Sequence, residues 1–168
     1  EAEMKMLRVI KKLKEISPLT IKSTFLGAHA LPQEYKGNKD AYMDLVINEM
    51  LPQVAEEGLA EYVDIFCEDG YFDVADTERL LAAAAQYNLI PKTHVNQFNI
   101  IGGVQVSVKH GALSVDHLEL MNDADTEALR ETDCMPTLLP SCSFFLGIPY
   151  GPARKMIQAG LPIALATD

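Results

Sequence analysis

Apolar positions along the chain switch between two periods. Met6, Val9, Ile10 and Leu13 recur at helical spacing within "EAEMKMLRVIKKLKEI", and "IKSTFLGAH" is then a short, partly β-branched run ending in Gly27 and His29. A helical stretch from Asp40 carries Met43, Val46, Ile47, Met50 and Leu51, and "YVDIFCED" follows as a strand. "ADTERLLAAAAQYN" predicts a helix opened by Asp76 as N-cap with Glu78 in its first turn, and "LIPKTHV" predicts the next strand. "IIGGVQVSVKHG" predicts a weaker helix closed by Gly111, before the strand "ALSVDHLE". "DADTEALRET", "CMPTLLP", "YGPARKMIQAG" and "LPIALATD" continue the alternation. The pattern therefore predicts six strands with a helix between each neighbouring pair.

Strands separated by helices imply βαβ units, a parallel sheet and the α/β class. The strands are near-continuously apolar, as burial on both faces requires. "ADTE" opens a helix twice, at Ala75 and Ala124, but Asp-Thr-Glu is simply favourable chemistry at a helix start. No linker or low-complexity segment divides the chain, which reads as one domain or part of one. A hydrophobic share of 48% against 23% charged residues is a globular balance, not that of a disordered segment. The net charge of -10 argues against a nucleic-acid surface, and the short basic run from Arg8 to Lys14 reads as a solvated helix face. Cys67, Cys134 and Cys142 are odd in number and lack CxxC spacing, which fits a reducing, cytoplasmic setting. No apolar run approaches the roughly 20 residues of a membrane span.

The chemistry concentrates where strands end. The six tips are His29, Cys67-Glu68, His94, Asp116-His117, Pro140-Ser141 and Asp168. A parallel sheet puts all of them on one edge, where α/β proteins place their sites. Each also has a plainer reading: His29 as a turn residue, His94 as a neutral core histidine, Asp116-His117 as a local capping pair, Glu68-Asp69-Gly70 as a polar turn and Cys67 as a small buried residue. His110, in the last turn of its helix, is assigned to capping. The shared register of the histidines and the aspartate favours a common site. Imidazoles with a carboxylate suit zinc or iron(II), whereas magnesium and calcium sites are built from oxygen, and hydrolysis by an activated water follows. The chain has no G-x-S-x-G elbow, P-loop or G-x-G-x-x-G.

"TFLGAHALP", "HVNQF" followed by "LSVDHLE", and the final "GLPIALATD" together resemble the imidazolonepropionase family of the amidohydrolase superfamily, from about Ser23 onward. The resemblance implies a (β/α)8 TIM barrel of which the chain supplies about six βα units, the third to the eighth strands. Residues 1–168 are then expected to be an incomplete metal-dependent barrel domain without the first two strands and the closing helix. It also implies one Zn2+ or Fe2+ held by an H-x-H pair on the first strand, His94 on the fifth and Asp168 on the eighth, with His117 on the sixth assisting. The implied reaction is hydrolysis of 4-imidazolone-5-propanoate to N-formimidoyl-L-glutamate in histidine degradation. Asp168 would act as general base and then acid, His117 would polarise the ring carbonyl, and His29 and Gln97 would hold the substrate.

Two departures stand out. The sequence contains no H-x-H, and a barrel of this type needs about 250 residues. Gln97 also occupies the position of the family's commoner H-x-x-E glutamate, and a glutamine can hydrogen-bond the ring but cannot act as a base. A small-molecule substrate is expected, with no nucleic acid and no membrane, and open sheet edges favour self-association. A related cyclic-base aminohydrolase and a catalytically inactive piece with an incomplete metal site are the alternative readings.

Overall fold

The computed structural model describes residues 2–168. Helix α1 (Ala2–Ile16) leads into β1 (Thr24–Ala28), followed by a 3-10 turn at Gln33–Tyr35, α2 (Lys39–Leu45) and α3 (Leu51–Glu56). Then come β2 (Tyr62–Cys67), α4 (Val74–Ala85), β3 (Ile90–Val95), α5 (Gly103–Lys109) and β4 (Ser114–His117). The chain continues through α6 (Asp123–Arg130), β5 (Met135–Leu138), α7 (Pro140–Leu146), α8 (Ala153–Gln158) and β6 (Ala164–Leu165). The six strands form one parallel sheet in the sequential order β1-β2-β3-β4-β5-β6. That order, with no reversal, is the wall of a (β/α) barrel rather than a doubly wound sheet, which has a switch point.

Alternation along the strands separates two environments. Phe25, Val63, Ile65, Val95 and Val115 are fully buried on the helix-facing side. The opposite, concave face carries Thr24, Leu26, Asp64, Lys92, His94, Asp116 and Thr137, which line a common hollow. The apolar cores lie between sheet and helices, one under α1 to α4 centred on Phe25, Met43, Leu51 and Leu80, and the other under α5 to α8 around Val104, Val115, Leu129 and Met156.

Several local features depart from the sequence reading. The α4 N-cap is Asp73, not Asp76: its side chain accepts from the Asp76 amide at 3.0 Å while Asp76 accepts from the Asp73 amide at 3.1 Å. Asn122 and Asp125 form the same reciprocal capping box at α6, so the repeated "ADTE" reflects one helix-start motif used twice. The stripe Met6, Val9 and Leu13 of α1 is exposed, whereas Met4 and Leu7 are buried. Its basic residues fix that orientation: Arg8 meets Glu57 at 2.6 Å and Lys14 meets Glu61 at 2.8 Å, so this face is paired rather than merely solvated. Both glutamates are held down at about 2, Glu57 by the Arg8 hydrogen bond and Glu61 by Lys14 and Ser23 against the opposing effect of burial. Pro52 cannot donate an intrahelical bond, and a π-helical turn at Val46–Met50 joins α2 to α3. Helix α7 was not anticipated, because a seven-residue segment with exposed Phe144 and Phe145 shows no buried periodicity.

Candidate active site

The site is assembled from tips of successive strands. β3 brings His94 and, just beyond it, Asn96 and Gln97; β4 ends on His117, and Asp168 follows β6. His94, Gln97, His117, Asp168 and His29 line one open cavity of about 340 Å3, with Ser141, Cys142, Phe145, Leu146 and Thr167 completing its wall. The structure thus brings together all five side chains singled out from the sequence. Donor atoms of His94, His117 and Asp168 lie within 4.8 Å of one another. The His94 ring centroid is 5.2 Å from that of His117 and 5.8 Å from that of His29, so the three imidazoles form a continuous edge.

The backbone at these tips is unusual. Asn96, His117, Leu118 and Asp168 have φ values of 55°, 85°, 58° and 79°. Non-glycine residues adopt this left-handed region at a cost, and such strain clusters at sites where the surrounding structure holds it in place. Asn96 is held by donating to Asp125 at 3.0 Å, and its carbonyl accepts from the Leu120 amide at 3.0 Å. The β3 and β4 tips are therefore tied together before any ligand is considered.

Buried carboxylates support the imidazoles. Asp64, on β2 and 4% exposed, places Oδ2 at 2.9 Å from His94 Nδ1, while its Oδ1 accepts from the amides of Ile65 and His94. Burial pushes the Asp64 carboxyl up in spite of His94. Burial also opposes charging of His94, but Asp64, with Asp116 and Asp168 behind it, outweighs that effect and raises the imidazole. Glu68 is 1% exposed and is not the solvated turn residue expected from "EDG". Its two oxygens accept from the amides of Asp69 at 3.0 Å and Phe98 at 2.8 Å, which fastens the β2 tip to the segment carrying Gln97. Gln97 itself donates to Cys142 Sγ at 3.5 Å.

Asp64, Glu119 and Cys142 were missed in the sequence. Asp64 is a carboxylate in the middle of the apolar run "YVDIFC", a signal that could have flagged it. Glu119 lies 3.6 Å from His117 Nδ1 through Oε2 and accepts from Ser143 at 3.0 Å through Oε1. Burial, then Asp168 and Glu119, pushes the Cys142 thiol up to about 11. Cys67 is buried and raised to about 11 by burial, as its reading as a packing residue expects. His110 lies away from the cavity, 3.3 Å from Glu78.

With this geometry in place, the relatives can be compared. The chain is 69% identical over 168 residues to an imidazolonepropionase of Christiangramia forsetii, 62% to one of Flavobacterium johnsoniae and 44% to one of Thermoanaerobacter pseudethanolicus. Over its full length it is similar to imidazolonepropionases. It spans 100% of itself in these alignments but only about 41%, 41% and 40% of the three relatives. No protein-family model matches the chain. Among solved structures, a guanine deaminase from C. acetobutylicum with guanine in its active site superposes with a TM-score of 0.71 at 13% identity, covering 99% of this chain and 43% of that one. An adenosine deaminase from Xanthomonas campestris with bound zinc superposes with a TM-score of 0.61 at 15% identity, covering 88% of this chain and 37% of the other. At such identities the likeness concerns the fold alone. The imidazolonepropionases are the relatives that share sequence as well.

Proposed function

We propose that this chain carries the metal-binding and proton-transfer edge of a barrel hydrolase that opens the ring of 4-imidazolone-5-propanoate to N-formimidoyl-L-glutamate. The observation that carries the reading is the convergence of His94, His117 and Asp168 donors within 4.8 Å on one sheet edge, in a chain similar along its whole length to imidazolonepropionases. An imidazole beside a carboxylate fits zinc or iron(II) better than magnesium or calcium, whose sites are built from oxygen. Asp64 beside Nδ1 of His94 leaves Nε2 for the ion, an arrangement usual for ligating histidines. His94 and Asp168 would hold the ion, together with donors that this chain does not supply, since it contains no H-x-H. When bound, zinc or iron(II) supplies a Lewis acid that lowers the pKa of a water towards ~7.

The chain's own residues do the rest. Asp168 accepts the proton of the attacking water and passes it to the ring nitrogen as the carbonyl carbon–nitrogen bond breaks, leaving a carboxylate and the N-formimidoyl group. His117 donates a hydrogen bond to the carbonyl oxygen as negative charge develops there, a contribution commonly of about 3 kcal/mol. His29 and Gln97 hold the ring, Gln97 through its amide and without base chemistry. The test is turnover of 4-imidazolone-5-propanoate together with metal content in a His117→Asn variant. Turnover is expected to fall at least a hundredfold with metal content retained, and an equal fall in both would overturn the assignment of His117.

A further inference from the structure

A second donor set adjoins the first. Donor atoms of His117, Glu119 and Cys142 also lie within 4.8 Å of one another. The His117 and Glu119 side chains are each only 2% exposed, and His117 Nδ1 and Glu119 Oε2 face each other at 3.6 Å. That separation is too long for a hydrogen bond, and neither atom has a hydrogen-bond partner among the described residues. Ser143 occupies the other oxygen of Glu119 at 3.0 Å, which fixes the carboxylate with Oε2 turned towards the imidazole. Cys142, from the first turn of α7, closes the group on its half-exposed side. Two buried polar atoms left without partners, next to a thiol, form a space that a cation would satisfy.

We propose that His117, Glu119 and Cys142 form a second cation site, selective for a thiophilic divalent ion such as Zn2+. Around a tetrahedral zinc ion, donors stand about 3.3–3.8 Å apart, the separation at which His117 Nδ1 and Glu119 Oε2 already face each other, and rotation of the Cys142 side chain brings in the thiol from within 4.8 Å. Nitrogen, oxygen and sulfur together favour zinc or cadmium over magnesium and calcium. The bound ion takes the place of the thiol proton. Because an ion on Nδ1 fixes the His117 proton on Nε2, binding here sets the imidazole as a donor for hydrolysis; this consequence rests on the function proposed above, whereas the binding itself does not.

The test is titration of the metal-free polypeptide with cadmium alone, read by the ultraviolet charge-transfer absorption of a cadmium–thiolate bond. One equivalent is expected to produce the band, Cys142→Ala to abolish it and Glu119→Gln to weaken cadmium binding at least tenfold with the far-ultraviolet circular dichroism unchanged. His94→Ala, which breaks the first donor set only, is expected to keep the band. Absence of the band in the unmodified chain, its persistence in Cys142→Ala or its loss in His94→Ala would each overturn the proposal. An anomalous-scattering map of cadmium-soaked crystals gives an independent reading: a peak is expected between the three side chains in addition to any at His94 and Asp168, and no peak between them refutes the site.

Discussion

Replacing Glu68 with alanine should destabilise the fold by more than its place in a turn suggests. The buried carboxylate accepts two amides, from Asp69 at 3.0 Å and from Phe98 at 2.8 Å. A hydrogen bond to a charged group contributes about 1.5–3 kcal/mol, and truncation leaves the amides without their acceptor. Removing a buried charge returns part of that energy, so a net loss of about 3 kcal/mol is expected. With a urea m-value of about 2 kcal/mol/M, the unfolding midpoint should fall by about 1.5 M. Glu68→Gln keeps one acceptor oxygen but turns an amino group towards the other N–H, and about half the loss should remain. Because Phe98 adjoins Gln97, the alanine variant should also raise KM more than it lowers kcat. A change below about 0.5 kcal/mol, the range of ordinary surface substitutions, would refute the claim that Glu68 joins the two strand tips.

Gly103→Ala should cost about 1–3 kcal/mol by overpacking, because an added Cβ would stand 2.9 Å from Val95 Cγ1 and 3.3 Å from Cys67 Sγ; urea denaturation gives the value. Glu61 has its carboxyl lowered from 4.5 to about 2, so its pairing stabilises the fold above pH 4.5 and is lost as pH falls towards 2. Glu61→Gln should flatten the dependence of Tm on pH in that window, by a small amount because the side chain is 39% exposed and solvent screens its pairing. Gln97→Ala should raise KM for 4-imidazolone-5-propanoate several-fold with little change in the pH profile of kcat, and a lost basic limb would instead mark Gln97 as part of the proton path. β1 and β6 each have one neighbour in the sheet, and Phe145 is 86% exposed, so self-association is expected in light scattering.

The strand–helix alternation was legible because each unit satisfies its own local rules: an apolar run, a capped helix and a turn. The tip residues His94, His117 and Asp168 were legible for the same reason, since a period of two carries position into facing. What escaped required knowledge across strands. Asp64 acquires meaning only beside His94, one strand away and 30 residues on. Glu119 lies two residues beyond His117 in sequence, yet its environment is set by Ser143 of α7, a helix whose sequence carries no periodic signal. Glu68 looked like turn chemistry because "EDG" is what exposed turns use, and only its burial reveals that both oxygens face inward. The orientation of α1 was ambiguous because the helix carries two apolar stripes, and the ion pairs to Glu57 and Glu61 select between them.

The helix-to-strand turns at the far edge of the sheet have their own consequence. Gly58, Gly111 and Gly160 follow α3, α5 and α8 with φ values of 58°, 69° and 81°, and an added Cβ at any of them would meet nothing within 4 Å. Each turn closes its helix through local backbone bonds, such as Ala112 N to Ser107 O at 3.0 Å, and none touches the edge bearing His94, His117 and Asp168. That edge is accordingly a set of attachment points: with the three glycines kept, since a side chain at their positive φ would be strained, a peptide epitope or new chain ends made by circular permutation next to Gly111 could be installed there while the imidazoles at the opposite edge keep their spacing.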